Sequence, residues 1–339
     1  MTLSTMKNLV YIALAIIVLA MNCPPVFATQ MEKQTMPGKL PIFKNVQDFI
    51  EFFRKGGEWY DKSKNLPTLM IDNQPDPAAM KVLGEELATG TENVRERIID
   101  LLEEIGRLSH PGYELRTPEV IALMIGPGFA KMDSARSKTM DLLSKHASPA
   151  TLSRYGNNIL RVLKEEPSVY SLRLAAKAKP EVAREEVERL SRQPEWNERG
   201  SSRWTAMRIA SAALGDTKIE DEYIAATKRV EAEGDAEKLS GVLYLLAQIG
   251  TPRSLLAVCE RMRSPLIIDS GVFEESVRLK VMDALLYAFP GQPELYSFKV
   301  TNDADYMRAE QFCMKATGVR YDGIPRPEYF GHGAKIPAE

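Results

Sequence analysis

Only three cysteines and three histidines occur in 339 residues, which leaves little material for metal or thiol chemistry. His110, His146 and His332 are far apart and none stands in a His-Glu-X-X-His or Cys-X-X-Cys frame, so a metal site would have to be assembled by folding alone. The chain also lacks a Gly-X-Ser-X-Gly elbow, a Gly-X-X-X-X-Gly-Lys phosphate loop and a dinucleotide-binding glycine fingerprint. Gly126-Pro127-Gly128 reads as a turn. There is no Asn-X-Ser/Thr sequon and no excess of one charge, the formal net charge being −2, which argues against a generic nucleic-acid binder. These absences point to no enzyme, no cofactor and no metal.

The longest apolar run, Leu9 to Met21, has 13 residues, too few for a bilayer span of about 20. Preceded by Lys7 and followed by Pro24-Pro25 and Val26-Phe27-Ala28, it matches a secretory signal peptide cut after Ala28. Met21-Asn22 before Cys23 fit a lipoprotein signal poorly. Export to the periplasm or the extracellular space is the expectation, with signal peptide 1–28 and no membrane span in the mature chain. That chain keeps 43 basic and 46 acidic residues, a net charge of −3, and only Cys259 and Cys313, which either pair in an oxidising compartment or remain two buried thiols.

Beyond the signal, apolar residues recur at helical spacing and almost nothing reads as a strand. Residues 29–44 are a polar leader; Val46, Phe49, Ile50 and Phe53 share one face of a helix over 45–60 that covers the open end of a helical stack. Asn65 to Pro77 is a loop with three prolines. Helix pairs then run Pro77–Thr89 with Val94–Gly106, Pro118–Met124 with Asp133–His146, Pro149–Glu165 with Ser168–Lys179, Pro180–Arg192 with Ser202–Leu214, Ile219–Glu233 with Ala236–Ile249, Pro252–Arg263 with Phe273–Phe289, and Pro293–Phe298 with Asp303–Thr317. The clearest junction is Ile249-Gly250-Thr251-Pro252: a glycine stop, a threonine cap and proline at the first helical position. Taking Val94, Ala135, Val169, Arg203, Lys238, Val277 and Tyr306 as equivalent, the steps are 41, 34, 34, 35, 39 and 29 residues, irregular periods that suit two-helix repeat units, each burying its apolar stripe against its neighbours.

Val94-Arg95 with Leu101-Leu102 and Ile105-Gly106, Val277-Arg278 with Ala284-Leu285-Leu286, and Leu245-Leu246-Ala247-Gln248-Ile249-Gly250-Thr251-Pro252 resemble the Val-Arg, Ala-Leu and Ile-Gly-X-Pro pattern of HEAT and armadillo-like repeat proteins. Thr317-Gly318-Val319-Arg320-Tyr321-Asp322-Gly323 is similar to the closing turn of bacterial HEAT proteins. The resemblance covers roughly residues 75–323. It implies an all-α fold, an α-solenoid of about six to seven stacked antiparallel helix pairs, with 29–74 as leader and covering helix and 324–339 as an irregular Gly/Pro-rich tail. Units two and three depart furthest from the pattern, with His146 at an apolar position and Ala175-Ala176-Lys177-Ala178 as a weak version. The motifs are degenerate and speak for fold, not function.

Charge is distributed unevenly. Residues 131–208 carry 16 basic and 10 acidic side chains, against 12 and 16 in residues 29–130 and 15 and 20 in residues 209–339. The resemblance implies that second helices line a concave surface, and in the basic middle they offer Lys138, Lys145, Tyr170, Arg173, Lys177, Arg203, Trp204 and Arg208, residue types that binding hot spots use. The competing reading is an ordinary solvated face with its arginines neutralised by nearby glutamates. Of these, Lys138, Tyr170, Arg173, Lys177, Arg203, Trp204 and Arg208 are the candidate contacts of an acidic protein partner. The expectation is an exported, non-catalytic protein-binding or scaffold protein. The alternatives are a secreted or periplasmic inhibitor or immunity protein, and further off a HEAT-fold enzyme or ligand carrier.

Overall fold

The computed structural model describes residues 40–109, 114–178, 180–269, 273–328 and 330–334; the signal peptide, Cys23, most of the leader and His110 lie outside them. The described residues are mostly helical and fall into two compact units, 40–178 and 180–334.

In the N-terminal unit, α1 (Val46–Arg54) begins where the Asn45 side chain accepts the amide of Asp48, and buries Val46, Phe49, Ile50 and Phe53, the face its spacing marks. It packs on α3 (Pro77–Thr89) and α4 (Glu92–Ser109). The segment between is more ordered than its prolines suggest: α2 (Lys62–Asn65), a 3-10 turn over Leu66–Leu69, then a hairpin of β1 (Met70–Ile71) and β2 (Gln74–Pro75). Asp72 and Asn73 turn it with φ of 50° and 60°, a conformation these short polar side chains tolerate better than most, while Pro77 starts α3.

Next come α5 (Pro118–Ile125), α6 (Ser134–His146), α7 (Pro149–Ser153), α8 (Gly156–Glu165) and α9 (Val169–Ala178). The single helix expected over 149–165 is broken at Arg154-Tyr155, just before Gly156, a poor helix former. Helices α3 and α5 pack on α4, α8 packs on α9, and α4, α6 and α9 lie in that order, each against the next.

The C-terminal unit holds α10 (Pro180–Leu190), α11 (Ser202–Ala213), α12 (Thr217–Ala232), α13 (Ala236–Ile249), α14 (Pro252–Cys259), α15 (Val277–Ala288) and α16 (Asp303–Thr317). Here α11, α13 and α15 succeed one another in the same way, with α12 on α13 and α14 on both α13 and α16. Helix α13 is the centre of the core: Leu239, Val242, Leu243 and Leu246 are wholly buried. It stops at Gly250 with φ of 68°, and the Thr251 side chain accepts the Ser254 amide to start α14, as the residues at this junction indicate.

Two stretches differ from expectation. Phe273–Ser276, read as the start of a helix, is a strand (β4) paired with β3 (Ile267–Asp269) on one side and β5 (His332–Ala334) on the other; the helix begins only where the Ser276 hydroxyl accepts the Arg278 amide. Residues 293–298 form short 3-10 turns rather than a helix, interrupted at Tyr296, whose backbone is extended.

Both units bury arginines in the first turns of helices, Arg95 in α4, Arg136 in α6 and Arg278 in α15. Arg95 donates to Leu87 O (2.6 Å) and Gly128 O (3.0 Å) and pairs with Asp133. Arg136 reaches Glu165 (2.8 Å) and Glu166 (3.3 Å). Arg278 donates to Met262 O (3.0 Å), lies 3.4 Å from Glu310 and sits 3.6 Å over the Tyr306 ring. Each follows a fully buried small or apolar residue, Val94, Ala135 or Val277, and ties its helix to neighbouring segments. Glu310, itself buried, also takes Arg263 and Arg326, each at 3.0 Å.

Cys259 and Cys313 are two free, fully buried thiols on the packed helices α14 and α16. A hydrogen bond to Cys259 and burial push the Cys313 thiol well above its ordinary range. A thiol-specific reagent is therefore expected to leave both unmodified in the folded protein at pH 8 and to label both in denaturant. Labelling under native conditions would mean that the contact between α14 and α16 opens.

Candidate binding surface

Helices α4, α6 and α9 of the N-terminal unit carry many titratable side chains. Along α4, α6 and α9, most of them neutralise one another: Lys138 pairs with Asp100 (2.7 Å), Lys145 with Asp141 (2.6 Å) and Arg107 with Glu103 (2.6 Å). His146 lies 4.0 Å from Glu103. Its burial, together with the charges of Arg107, Lys145 and Lys177, pulls it down to about 4, so it is neutral at pH 7 and does not act as a charged partner of the α6 dipole.

Helix α9 presents Tyr170, Arg173 and Lys177 at spacings of three and four residues, hence on one face. Tyr170 is exposed. Arg173 is half-buried and makes no ion pair among the described residues; its Nε is shielded from solvent without a hydrogen-bond partner. Lys177 is half-buried too, and its Nζ donates to Ser144 O at 2.7 Å, satisfying one of the last carbonyls of α6. Burial, offset in part by Glu114, pulls Lys177 down to about 7. At neutral pH it is therefore only partly protonated, whereas an exposed lysine or an arginine is fully charged.

Arg203, Trp204 and Arg208 belong to the other unit, on α11. Arg208 stacks over Trp204 (4.8 Å) and Tyr223 (5.6 Å) and reaches Glu222 at 2.5 Å. Arg203 lies 5.6 Å from the Trp196 ring. The structure thus brings Lys138, Tyr170, Arg173 and Lys177 together in one unit and Arg203, Trp204 and Arg208 in the other. Lys138 and Arg208 have carboxylate partners of their own, as a solvated face would.

The adjacent glutamates 103–104, 165–166 and 185–186 are mostly engaged as well: Glu104 by Lys62, Glu165 by Arg136 and Arg161, Glu166 by Arg136 and Glu186 by Arg189. No group of three or more His, Cys, Asp or Glu among the described residues is arranged to hold a metal ion. No helix among them is long and apolar enough to cross a membrane. Sequence reasoning missed the arginine cluster around Glu310, whose members at 263, 278, 310 and 326 share no window of the chain; the Val-Arg pattern at 277–278 was its one visible trace. No family model, curated protein or solved structure matches the chain.

Proposed function

We propose that this is an exported, non-catalytic binding or scaffold protein built of HEAT-like helix pairs, and that the α4–α6–α9 face of its N-terminal unit holds an acidic protein partner. Support for the repeat reading comes from second helices that succeed one another in each unit and from buried arginines recurring at their starts. The observation that carries the binding reading is Arg173, a cation with no ion pair among the described residues, set between Tyr170 and Lys177 on a face whose other cations are largely matched. An acidic side chain there would gain a charge-assisted hydrogen bond without displacing an existing one.

Affinity capture from the cell's envelope fraction tests this, with the wild-type protein and Arg173→Glu run side by side at low and high salt. The expected result is an acidic protein that is retained by the wild type, released by salt and bound about thirtyfold more weakly by the variant. Equal retention by a variant of unchanged helicity would remove this face from the reading.

A further inference from the structure

A cleft of about 510 Å³ opens in the C-terminal unit between the end of α12, the turn after α14 and the segment following α16. Its walls mix three arginines (Arg261, Arg263, Arg320), two glutamates (Glu231, Glu260) and apolar surface from Leu256, Val319 and Ile324. Two features set it apart from ordinary charged surface. The Ser264 side chain lines it, is 3% exposed, and leaves its Oγ buried without a hydrogen-bond partner. Buried hydroxyls are nearly always bonded, so an orphan at a cleft wall marks a place where something else supplies the partner. Arg320 stands exposed at the same cleft and makes no ion pair among the described residues.

The remaining arginines are engaged and cannot serve alone. Arg261 reaches Glu260 (2.5 Å), and its Nε lies 3.2 Å from Glu231 but outside hydrogen-bond geometry, leaving that atom also without a bonded partner. Arg263 is spent on Glu310, on the carbonyls of Tyr321 and Ile324, and on the Tyr321 ring. With Arg261 set against Glu260 and Glu231 and Arg263 against Glu310, Arg320 is the lining cation left without a carboxylate among the described residues, and it can match one added negative charge but not two. From this we infer that the cleft binds a small monocarboxylate with an apolar body: the carboxylate takes the Ser264 hydroxyl and the Arg320 guanidinium, and the body lies on Leu256, Val319 and Ile324. Arg320 and Ser264 are otherwise unoccupied, so neither role competes with a bond that holds the fold.

Calorimetric titration of the purified protein with benzoate, octanoate and inorganic phosphate tests the assignment, with Arg320→Ala and Ser264→Ala as variants. Arg320 touches no partner among the described residues, so its variant keeps the wild-type circular dichroism and melting temperature. The expected result is saturable binding of the two monocarboxylates, phosphate at least about tenfold weaker, and a loss of about tenfold in each variant. Absence of carboxylate binding overturns the site. Equal binding by both variants shows that the carboxylate sits elsewhere and overturns it too. Phosphate binding as tight as benzoate overturns the ligand class.

Discussion

Replacing Glu310 by Gln is expected to lower the melting temperature of the C-terminal unit by about 10 °C, from a loss of about 3–5 kcal/mol. The carboxylate is 3% exposed and serves Arg263, Arg278 and Arg326 at once. Without it, Arg278 and Arg326 keep only Asp303, at 3.9 Å and 3.7 Å, and Arg263 has no carboxylate partner among the described residues. Removing one partner of a buried ion pair costs far more than the pair contributes, because the remaining charge keeps its desolvation penalty. The same carboxylate sets a pH dependence. Burial alone would raise Glu310, but Arg326 and Arg263 hold it below the ordinary value of 4.5. A carboxylate depressed on folding contributes stability above its unfolded value and loses it as the pH falls through the folded one. The gap between wild type and Glu310→Gln is therefore expected to be full at pH 7 and to close under acid below about 4.5, and thermal unfolding across pH 3–7 measures it. A gap that stays constant with pH would show that size or packing, not charge, is at stake. Arg326→Ala separates the tail from the core: its side chain is 33% exposed, so it is expected to loosen residues 324–334 in hydrogen exchange while shifting the melting temperature little.

Lys177→Met is expected to do the opposite, raising stability at pH 7 by about 2 kcal/mol while weakening capture of an acidic partner. An unfolded lysine holds its proton to 10.5, whereas in the fold burial pulls Lys177 to about 7. For a group depressed on folding, stability is fully present above 10.5, declines as the pH falls from 10.5 to 7, and is fully lost below. Methionine keeps the aliphatic stem and removes that penalty. The gain is less than the whole shift because the bond to Ser144 O (2.7 Å) disappears with the ammonium and because Lys177 is only half-buried. Chemical denaturation at pH 7 and at pH 11 reads the effect, which should be absent at the higher pH. Destabilisation at pH 7 would mean that capping the end of α6 outweighs the cost of burying the charge. A carboxylate arriving at Lys177 would raise its pKa again, so partner binding should take up a proton and weaken above pH 7.

The helices were legible where the chain carries its own punctuation. Asp235 before Ala236, Gly250 after Ile249 and Asn302 before Asp303 bound α13 and α16 at the residues where the fold bounds them, because caps and stops act within one turn. Strands 70–75 and 273–276 were not legible. Each is too short for alternation to register, and the second is paired on one side with β3 just before it and on the other with a strand nearly sixty residues away, a contact that no local pattern encodes. The basic residues of 131–208 could be counted from sequence, but not which were already matched. Lys138 finds Asp100 and Arg208 finds Glu222 only through packing between helices, and that pairing is what singles out Arg173. The cleft beside Ser264 depends on chain segments from 231 to 324 and has no linear signature at all.

The pairing of β5 with β4 also decides which strands form the edges of the small sheet. A sheet edge left unpaired is a template for any passing strand, including the same strand of a second molecule. Here residues 332–334 pair with Phe273–Glu275, so β4 is the central strand and β3 and β5, three residues each, are the edges; protein shortened before 330 would turn the four-residue β4 into an edge and so lengthen the template offered to a passing strand.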